Sequence, residues 1–434
     1  MKFSQYVKEI LLSKMHEMAS CCWLFVRNPN SDFTRRRKLD FETMLRCLIA
    51  MESGSLKREL LKMFRFNPDT ATVSAFNQQR EKILPEALEF LFREFNQGIG
   101  EYRTYRGFRL LANDSSDLNI ARNPDDWENY FQHHPDSAGY NQLQLNAMYD
   151  LLSRRYTDAI IHPGVKNNEC RAMADMIDRC DCGHKTIFIA DRGYEAYNIF
   201  AHAEQRGMYY LVRVKDVGSR GGMASSFPLP QTEEFDTEVN LMLTRKYIDR
   251  TNACLGYKFL SASSPFDYLS QNKFYPISLR VVRFAIDADT YECVITNLSK
   301  KEFPPDELKK LYGMRWGIET AFRELKYAIG LSCFHAKKLD SIKQEIFARL
   351  ILYNFCEIIT AHVAILQKVT KHAYQANYTM AIHFCRHFLR FNSDISPPVL
   401  EMLIQQNLLP VRPGRTHPRK HTPKAFVSFM YRIA

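Results

Sequence analysis

The stretch that decides the fold is residues 311–326, which read LYGMRWGIETAFRELK. Within it, Tyr312, Arg315, Glu319 and Lys326 follow one another at spacings of three, four and seven residues. At about 100° per residue of an α-helix, these four side chains fall within about 60° of one another. A phenol, a guanidinium, a carboxylate and an ammonium group therefore share one narrow helix face. Because a carboxylate can hold a metal ion and cations can hold phosphates, this face suits phosphodiester chemistry.

A solvent-exposed charged helix is the simpler interpretation of the same stretch. Glu319, Arg323 and Lys326 are spaced so that they can form ion pairs three and four residues apart. Glu324 falls about 120° from Tyr312 around the helix, so it lies off the shared face. On this segment alone both interpretations remain open.

Two carboxylates upstream have similar surroundings. Residues 107–114 are predicted to form a short, mostly apolar strand that ends in Asp114, and residues 186–191 an apolar strand that ends in Asp191. Acids at the carboxyl ends of buried strands lie where open α/β sheets bind ligands, and a few such carboxylates can hold Mg²⁺. The alternative is that each aspartate caps a helix or forms a turn, which is the commoner role of Asp.

Taken together, these motifs resemble the IS4-type insertion-sequence transposases, which carry a DDE triad of acids on an RNase H-like fold. The family's Tyr-Arg-Glu-Lys signature matches within residues 312–326, and its second-aspartate motif matches Asp191–Tyr194. The first-aspartate motif is Asp-Ser-Ser at Asp114–Ser116, where the family usually has Asp-Gly-Ser, and this difference concerns local turn geometry. Thr72–Arg80 and Gln344–Ile346 also resemble family segments.

The resemblance implies a mechanism of metal-assisted phosphoryl transfer on DNA. Asp114, Asp191 and Glu319 would hold two Mg²⁺ ions, for which Mn²⁺ can substitute, about 3.5–4 Å apart. Water would nick the end of the element, and the freed 3′-OH would attack target DNA. The resemblance assigns contacts with DNA phosphates to four residues: Tyr312, Arg315, Lys326 and Arg192. It also implies double-stranded DNA as partner, at the terminal inverted repeats and the target, and a homodimer that holds two ends.

Composition agrees with a nucleic-acid partner. The chain has 434 residues, with 59 Lys and Arg against 48 Asp and Glu, so its net charge is +11. Basic residues cluster at 35–38 and after Glu401, beyond which no acid follows. Such patches suit phosphate contacts, although a solubilising tail explains residues 412–424 equally well.

Several other classes of protein are disfavoured by the sequence. No Gly-x4-Gly-Lys-Ser/Thr loop occurs, so we expect no use of ATP. Eleven cysteines without a regular framework are typical of reduced thiols, and no N-terminal signal is visible, which together predict a cytoplasmic, nucleoid-associated protein. Charged and polar residues interrupt the apolar stretch 346–366, which therefore predicts a buried core helix and no membrane span.

The chain is predicted to be α/β, with an RNase H-like mixed sheet flanked by helices. Residues 1–100 are expected to form a helical domain that binds DNA ends, and residues 101–370 a catalytic domain with a β-rich insertion at about 216–300. A C-terminal helical region with the basic tail would follow at 371–434. The predicted elements of the catalytic core are strands at 107–114, 142–152, 156–162, 186–191 and 208–215, and helices at 167–180 and 195–206.

Two other functions remain possible from the sequence. One is a different DNA nuclease on the same RNase H-like fold, which would use the same acids without specific terminal repeats. The other is a domesticated DNA-binding protein that no longer catalyses anything. An intact set of three acids in a basic chain argues against the second.

Overall fold

The fold is seen in a computed structural model. It describes residues 2–35, 37–100, 102–136, 138–180, 185–246, 256–269, 274–287, 290–363, 373–391 and 397–411. The predicted basic tail from Arg412 onward and Arg36 of the first basic cluster lie outside the described residues.

The N-terminal part is helical, as predicted. Two of its helices begin at side-chain caps: the Asp40 side chain accepts a hydrogen bond from the Thr43 amide, and that of Thr72 from the Ala75 amide. Within the described residues, its α-helices are α1 (Phe3–Ser20), α2 (Phe41–Ala50), α3 (Leu56–Met63), α4 (Val73–Arg80) and α5 (Glu86–Ile99).

The centre of the molecule is a mixed sheet. Its first strands are β1 (Phe108–Ile120), β2 (Tyr130–Phe131), β3 (Tyr140–Asp150), β4 (Arg155–Pro163), β5 (Lys185–Ala190) and β6 (Tyr209–Val214). The strands run in the order β4-β3-β1-β5-β6, with β2 pairing the start of β3; β4, β3 and β1 are antiparallel, whereas β5 and β6 are parallel to β1. Helices α6 (Glu169–Asp178) and α7 (Tyr197–Gln205) connect the parallel strands and pack on one face. This is the arrangement of an RNase H-like fold, so the predicted fold class is confirmed.

The predicted β-rich insertion is also confirmed. It supplies β7 (Phe235–Thr244), β8 (Tyr257–Phe259), β9 (Phe274–Asp287) and β10 (Thr290–Thr296). These strands extend the same sheet beyond β6 in the order β10-β9-β7-β8. Asn297 then fixes the exit from the sheet, because its side chain accepts from the Tyr210 amide and donates to the Met208 carbonyl.

The decisive stretch forms an almost continuous helix with two irregularities. It comprises α8 (Pro305–Met314), a break at Arg315, α9 (Trp316–Arg323) and a π-helical turn (Glu324–Ala328). A π-helical turn is rare in proteins, and those that occur are often found at functional sites.

The C-terminal part is mostly helical. It contains α10 (Leu339–His362), α11 (Tyr378–Arg390) and α12 (Pro397–Gln406), and also two short paired strands that the sequence did not predict, β11 (Tyr374–Ala376) and β12 (Leu408–Pro410). Helix α10 is buried along nearly its whole length and shares one apolar core with α1, α2 and α5. Among the described residues, no helix combines the length and the apolarity that crossing a membrane requires.

One strand boundary differs from the sequence prediction in a way that matters for the site. β1 was expected to end at Asp114, but it continues to Ile120. The cause is the pairing: β1 keeps β3 as an antiparallel partner as far as Ile120, whereas its parallel partner β5 reaches only to Ala112. The polar run from Asn113 to Asp117 concealed this extension, because Asn and Asp are depleted in strands.

Candidate functional site

Asp114 and Asp191 are neighbours across two parallel strands. The register of β1 and β5 pairs Ala112 with Ile189, and each aspartate lies two residues further along its chain. The two carboxylates therefore emerge side by side where β5 ends. Asp191 also caps a short turn, since its Oδ1 accepts a hydrogen bond of 2.8 Å from the Gly193 amide.

Arg315 joins the third acid to this pair. Its Nη2 lies 2.6 Å from Glu319 Oε1 within the same helical stretch, and its Nη1 lies 4.0 Å from Asp114 Oδ2 across the gap to the sheet. The guanidinium is buried, with only 5% of the residue exposed. The helix face predicted from the spacing of Arg315 and Glu319 therefore turns toward Asp114.

The charges of both other acids act on Asp114. The pKa of Asp114 is raised to about 6, chiefly by burial and in smaller part by the negative charges of Asp191 and Glu319. The Ser115 amide, which donates to Oδ1 over 2.8 Å, and the Arg315 guanidinium oppose this rise. A half-buried carboxylate with two other carboxylates nearby forms a site that a cation stabilises.

The donor set fits a hard divalent cation in chemical type, since all three side chains offer carboxylate oxygens. Within the part of the chain that the structure describes, however, no three His, Cys, Asp or Glu side chains stand close enough to share a metal ion. Arg315 supplies the physical reason, because its guanidinium occupies the gap between Asp114 and Glu319.

The four residues predicted to contact DNA are placed differently from one another. Arg315 is buried among the acids, and Arg192 is exposed directly after Asp191. Lys326 lies in the π-helical turn and donates a hydrogen bond of 2.9 Å to the Asp117 carbonyl on β1. Tyr312 is only 4% exposed and packs in the core between α8 and the sheet, with its ring centre 5.6 Å from the Arg315 guanidinium carbon.

Two other acids near the signature have structural partners. Glu345 is buried and forms an ion pair of 3.0 Å with Arg80, which ties α4 to α10, and it also accepts from the His335 amide. Burial alone would raise the pKa of Glu345, but the charges of Arg80 and His335 hold it well below its usual range. Glu324 accepts a hydrogen bond of 3.1 Å from the Tyr353 hydroxyl, on the side of α10.

Glu169 was not predicted from the sequence as a site residue, but in the structure it lies next to the strand segment that carries Asp114. It is the first residue of α6, and its Oε1 accepts hydrogen bonds from the Ser115 hydroxyl (2.6 Å) and from Gln144 Nε2 (2.8 Å). An acid in the first turn of a helix is common for electrostatic reasons alone, so the sequence carried no signal that separated Glu169 from that background.

Comparison with known proteins identifies the family of the chain. The family model described as "Transposase DDE domain" matches residues 105–355. The transposase for insertion sequence element IS1151 of Clostridium perfringens is 21% identical over 315 residues, which cover 65% of this chain and 64% of that relative. The transposase InsG for insertion sequence element IS4 of Escherichia coli (strain K12) is 23% identical over 341 residues, which cover 74% of this chain and 70% of the relative.

Among solved structures, the cryo-EM structure of the piggyBac transposase synaptic complex with hairpin DNA has a TM-score of 0.44 and 9% identity, and the match covers 94% of this chain and 84% of that chain. The family model matches more than half of the sequence and spans β1 to α10. The chain therefore belongs to the DDE transposase family, and the resemblance to IS4-type insertion-sequence transposases is confirmed.

Proposed function

We propose that this chain is a DNA transposase that moves an insertion sequence by cutting at its ends and joining the freed 3′-OH to target DNA. The observation that carries the proposal is the position of Asp114, which lies beside Asp191 in the register of β1 and β5 and is linked to Glu319 through Arg315. Membership of the DDE transposase family supports it. A cytoplasmic location, on the chromosome, belongs to the same proposal.

Asp114, Asp191 and Glu319 are the catalytic residues of this proposal and would hold two Mg²⁺ ions. When bound, the ions supply activation of the attacking oxygen and stabilisation of the leaving oxygen of the scissile phosphate. The acids themselves would orient the cations, and because the side chains of Asp114 and Glu319 are partly exposed, the phosphodiester would approach them from solvent.

Arg315, Lys326 and Arg192 would bind the DNA backbone beside the scissile phosphate. Arg315 is suited to a forked contact with phosphate oxygens and Lys326 to a point-charge contact. For Arg315 this role requires an exchange, in which phosphate replaces Glu319 as the partner of the guanidinium and leaves Glu319 available to the cation. Tyr312, which packs beside Arg315, would support that guanidinium from the core side. A homodimer would hold the two ends together.

The experiment that tests the proposal is a cleavage assay with the purified full chain, Mg²⁺ and duplex DNA that carries the gene's own flanking repeats. We expect cuts at the repeat ends that leave a free 3′-OH, and loss of those cuts in Glu319→Gln. Glu324→Gln is the matched control, because it removes the same charge five residues away while facing Tyr353. Cutting that ignores the repeats would favour a general nuclease, and end binding without any cutting would favour a domesticated DNA-binding protein.

A further inference from the structure

Glu169 contacts the strand that carries Asp114, although it lies on a different element. Side chains alternate along a strand, so Ser115 faces α6 while Asp114 faces α9. The Ser115 hydroxyl and Gln144 Nε2 both donate to Glu169 Oε1, over 2.6 and 2.8 Å. Gln144 is 3% exposed, so this part of the contact is shielded from water. One carboxylate oxygen thereby ties β1, β3 and α6 together directly behind Asp114.

The other oxygen of Glu169 lies toward the second aspartate. A Cβ placed on Gly193 would stand 3.0 Å from Asp191 Oδ1 and 3.6 Å from Glu169 Oε2. Both oxygens therefore lie within 4 Å of a single point in the Asp191–Tyr194 turn. The pKa of the Tyr194 hydroxyl is consistent with this proximity. Burial raises that pKa, and the charges of Glu169, Asp114 and Asp191 each raise it further.

Helix capping does not account for this position. The cap of α6 is Asn168, whose side chain accepts from the Arg171 amide over 2.9 Å. Glu169 directs its carboxylate away from that cap, to the side chains of β1 and β3. The placement thus favours a role in the centre formed by the two aspartates.

We propose that Glu169 is a positioning residue of the catalytic centre, which fixes the Asp114–Ser115 segment through Oε1 and offers Oε2 to the hydration shell of the cation on the Asp191 side. Mg²⁺ and Mn²⁺ bound by few carboxylates keep several waters, and those waters need acceptors. Partners in this outer shell typically change metal affinity by about 10–100-fold. The inference rests on the proposed metal-dependent function.

The test is the affinity of the DNA-free full chain for Mn²⁺, measured by electron paramagnetic resonance of the unbound ion. Glu169→Gln keeps the size of the side chain and an oxygen that can accept from Ser115, so it removes mainly the charge. We expect Mn²⁺ to bind about 10–100-fold more weakly to this variant, with an unchanged melting temperature. Asp175→Asn is the matched control, since it removes one negative charge from the same helix at a residue paired with Arg171. We expect its Mn²⁺ affinity to stay within about twofold of wild type, because it lies outside the centre.

An affinity of Glu169→Gln equal to that of Asp175→Asn would overturn the inference. The variant Asp191→Asn distinguishes a wrong role for Glu169 from a wrong proposed function. If Asp191→Asn also binds Mn²⁺ as tightly as wild type does, the proposed metal site itself is wrong. Glu169→Asp covers the case in which the Gln variant does not fold. Because the shorter side chain cannot reach Ser115 and the Asp191 side together, we expect at least about fivefold weaker binding. An Asp variant that binds Mn²⁺ as wild type does would equally overturn the inference.

Discussion

Replacing Arg315 should make the metal-free protein bind a divalent cation more tightly. The guanidinium lies 2.6 Å from Glu319 and 4.0 Å from Asp114 and is 5% exposed, so it already serves as the cation between these acids. Two unit charges 4 Å apart attract by about 4 kcal/mol at an effective dielectric constant of 20. An incoming cation must compete with that attraction, although the displaced guanidinium regains part of it by contact with water.

We therefore expect Arg315→Gln to bind Mn²⁺ about tenfold more tightly or better, which corresponds to about 1.4 kcal/mol. The assay is Mn²⁺ titration of the DNA-free full chain, followed by electron paramagnetic resonance. Arg323→Gln is the matched control, because it removes the same charge from an exposed position on α9. The same Arg315→Gln variant should cleave DNA ends poorly, since the phosphate loses its forked partner.

The reasoning is refuted if Arg315→Gln binds Mn²⁺ no more tightly than Arg323→Gln. That result would mean that the guanidinium does not compete for the acids. Adding Glu319→Gln to Arg315→Gln should abolish most of the gain, because the carboxylate released by Arg315 is then missing.

Two further predictions concern stability and DNA binding. Glu345→Gln should lower the free energy of unfolding at pH 7 by about 3–5 kcal/mol in urea denaturation, because it leaves Arg80 buried without its counter-charge. The control is Glu81→Gln, in the exposed pair with Lys338 between the same two helices, which should lower the free energy of unfolding by about 1 kcal/mol or less. Since the folded-state pKa of Glu345 is depressed, its contribution to the free energy of unfolding is fully present above the unfolded pKa of about 4.3. The difference in unfolding free energy between wild type and Glu345→Gln should therefore narrow as the pH falls below that value. A difference that does not change with pH would contradict the assignment. Lys326→Gln should weaken DNA binding by the same factor whatever the DNA sequence. It should also reduce the slope of the logarithm of affinity against the logarithm of salt concentration by about 1. Lys185→Gln should change neither quantity, because Lys185 begins β5, at the opposite end of the strand from Asp191; equal effects of the two variants would exclude Lys326 as a phosphate contact.

Those features of the site that depend on nearby residues in the chain could be predicted from the sequence. Arg315 and Glu319 are four residues apart on one helical stretch, and residues so spaced share a face whatever the fold around them. The apolar run before Asp191 is a strand, because a short apolar run between polar residues is typical of a buried strand, and Thr186–Ala190 are buried in the sheet. These features depend on neighbours in the chain, which is why they could be predicted.

The parts that depend on contacts between distant elements could not be predicted. The distance of 4.0 Å between Arg315 and Asp114 is set by how α9 packs on β1, and periodicity says nothing about it. The partner of Glu345 is Arg80, which lies 265 residues away in the chain, so the sequence alone did not show that this acid forms a buried ion pair. Tyr312 was expected at the DNA surface, yet one-sided periodicity cannot tell the core from the rim of a site, and the structure places this ring in the core.

The central claim is that Asp114, Asp191 and Glu319 come together on divalent cations when DNA is bound. The most direct test is anomalous diffraction from Mn²⁺ in crystals of the full chain with duplex DNA that carries the gene's flanking repeat. We expect Mn²⁺ about 2.1 Å from carboxylate oxygens of Asp114 and Asp191, with Glu319 as a further ligand and Arg315 moved from Glu319 to a phosphate. Mn²⁺ bound elsewhere, or an Arg315–Glu319 ion pair that persists beside the bound DNA end, would contradict the claim.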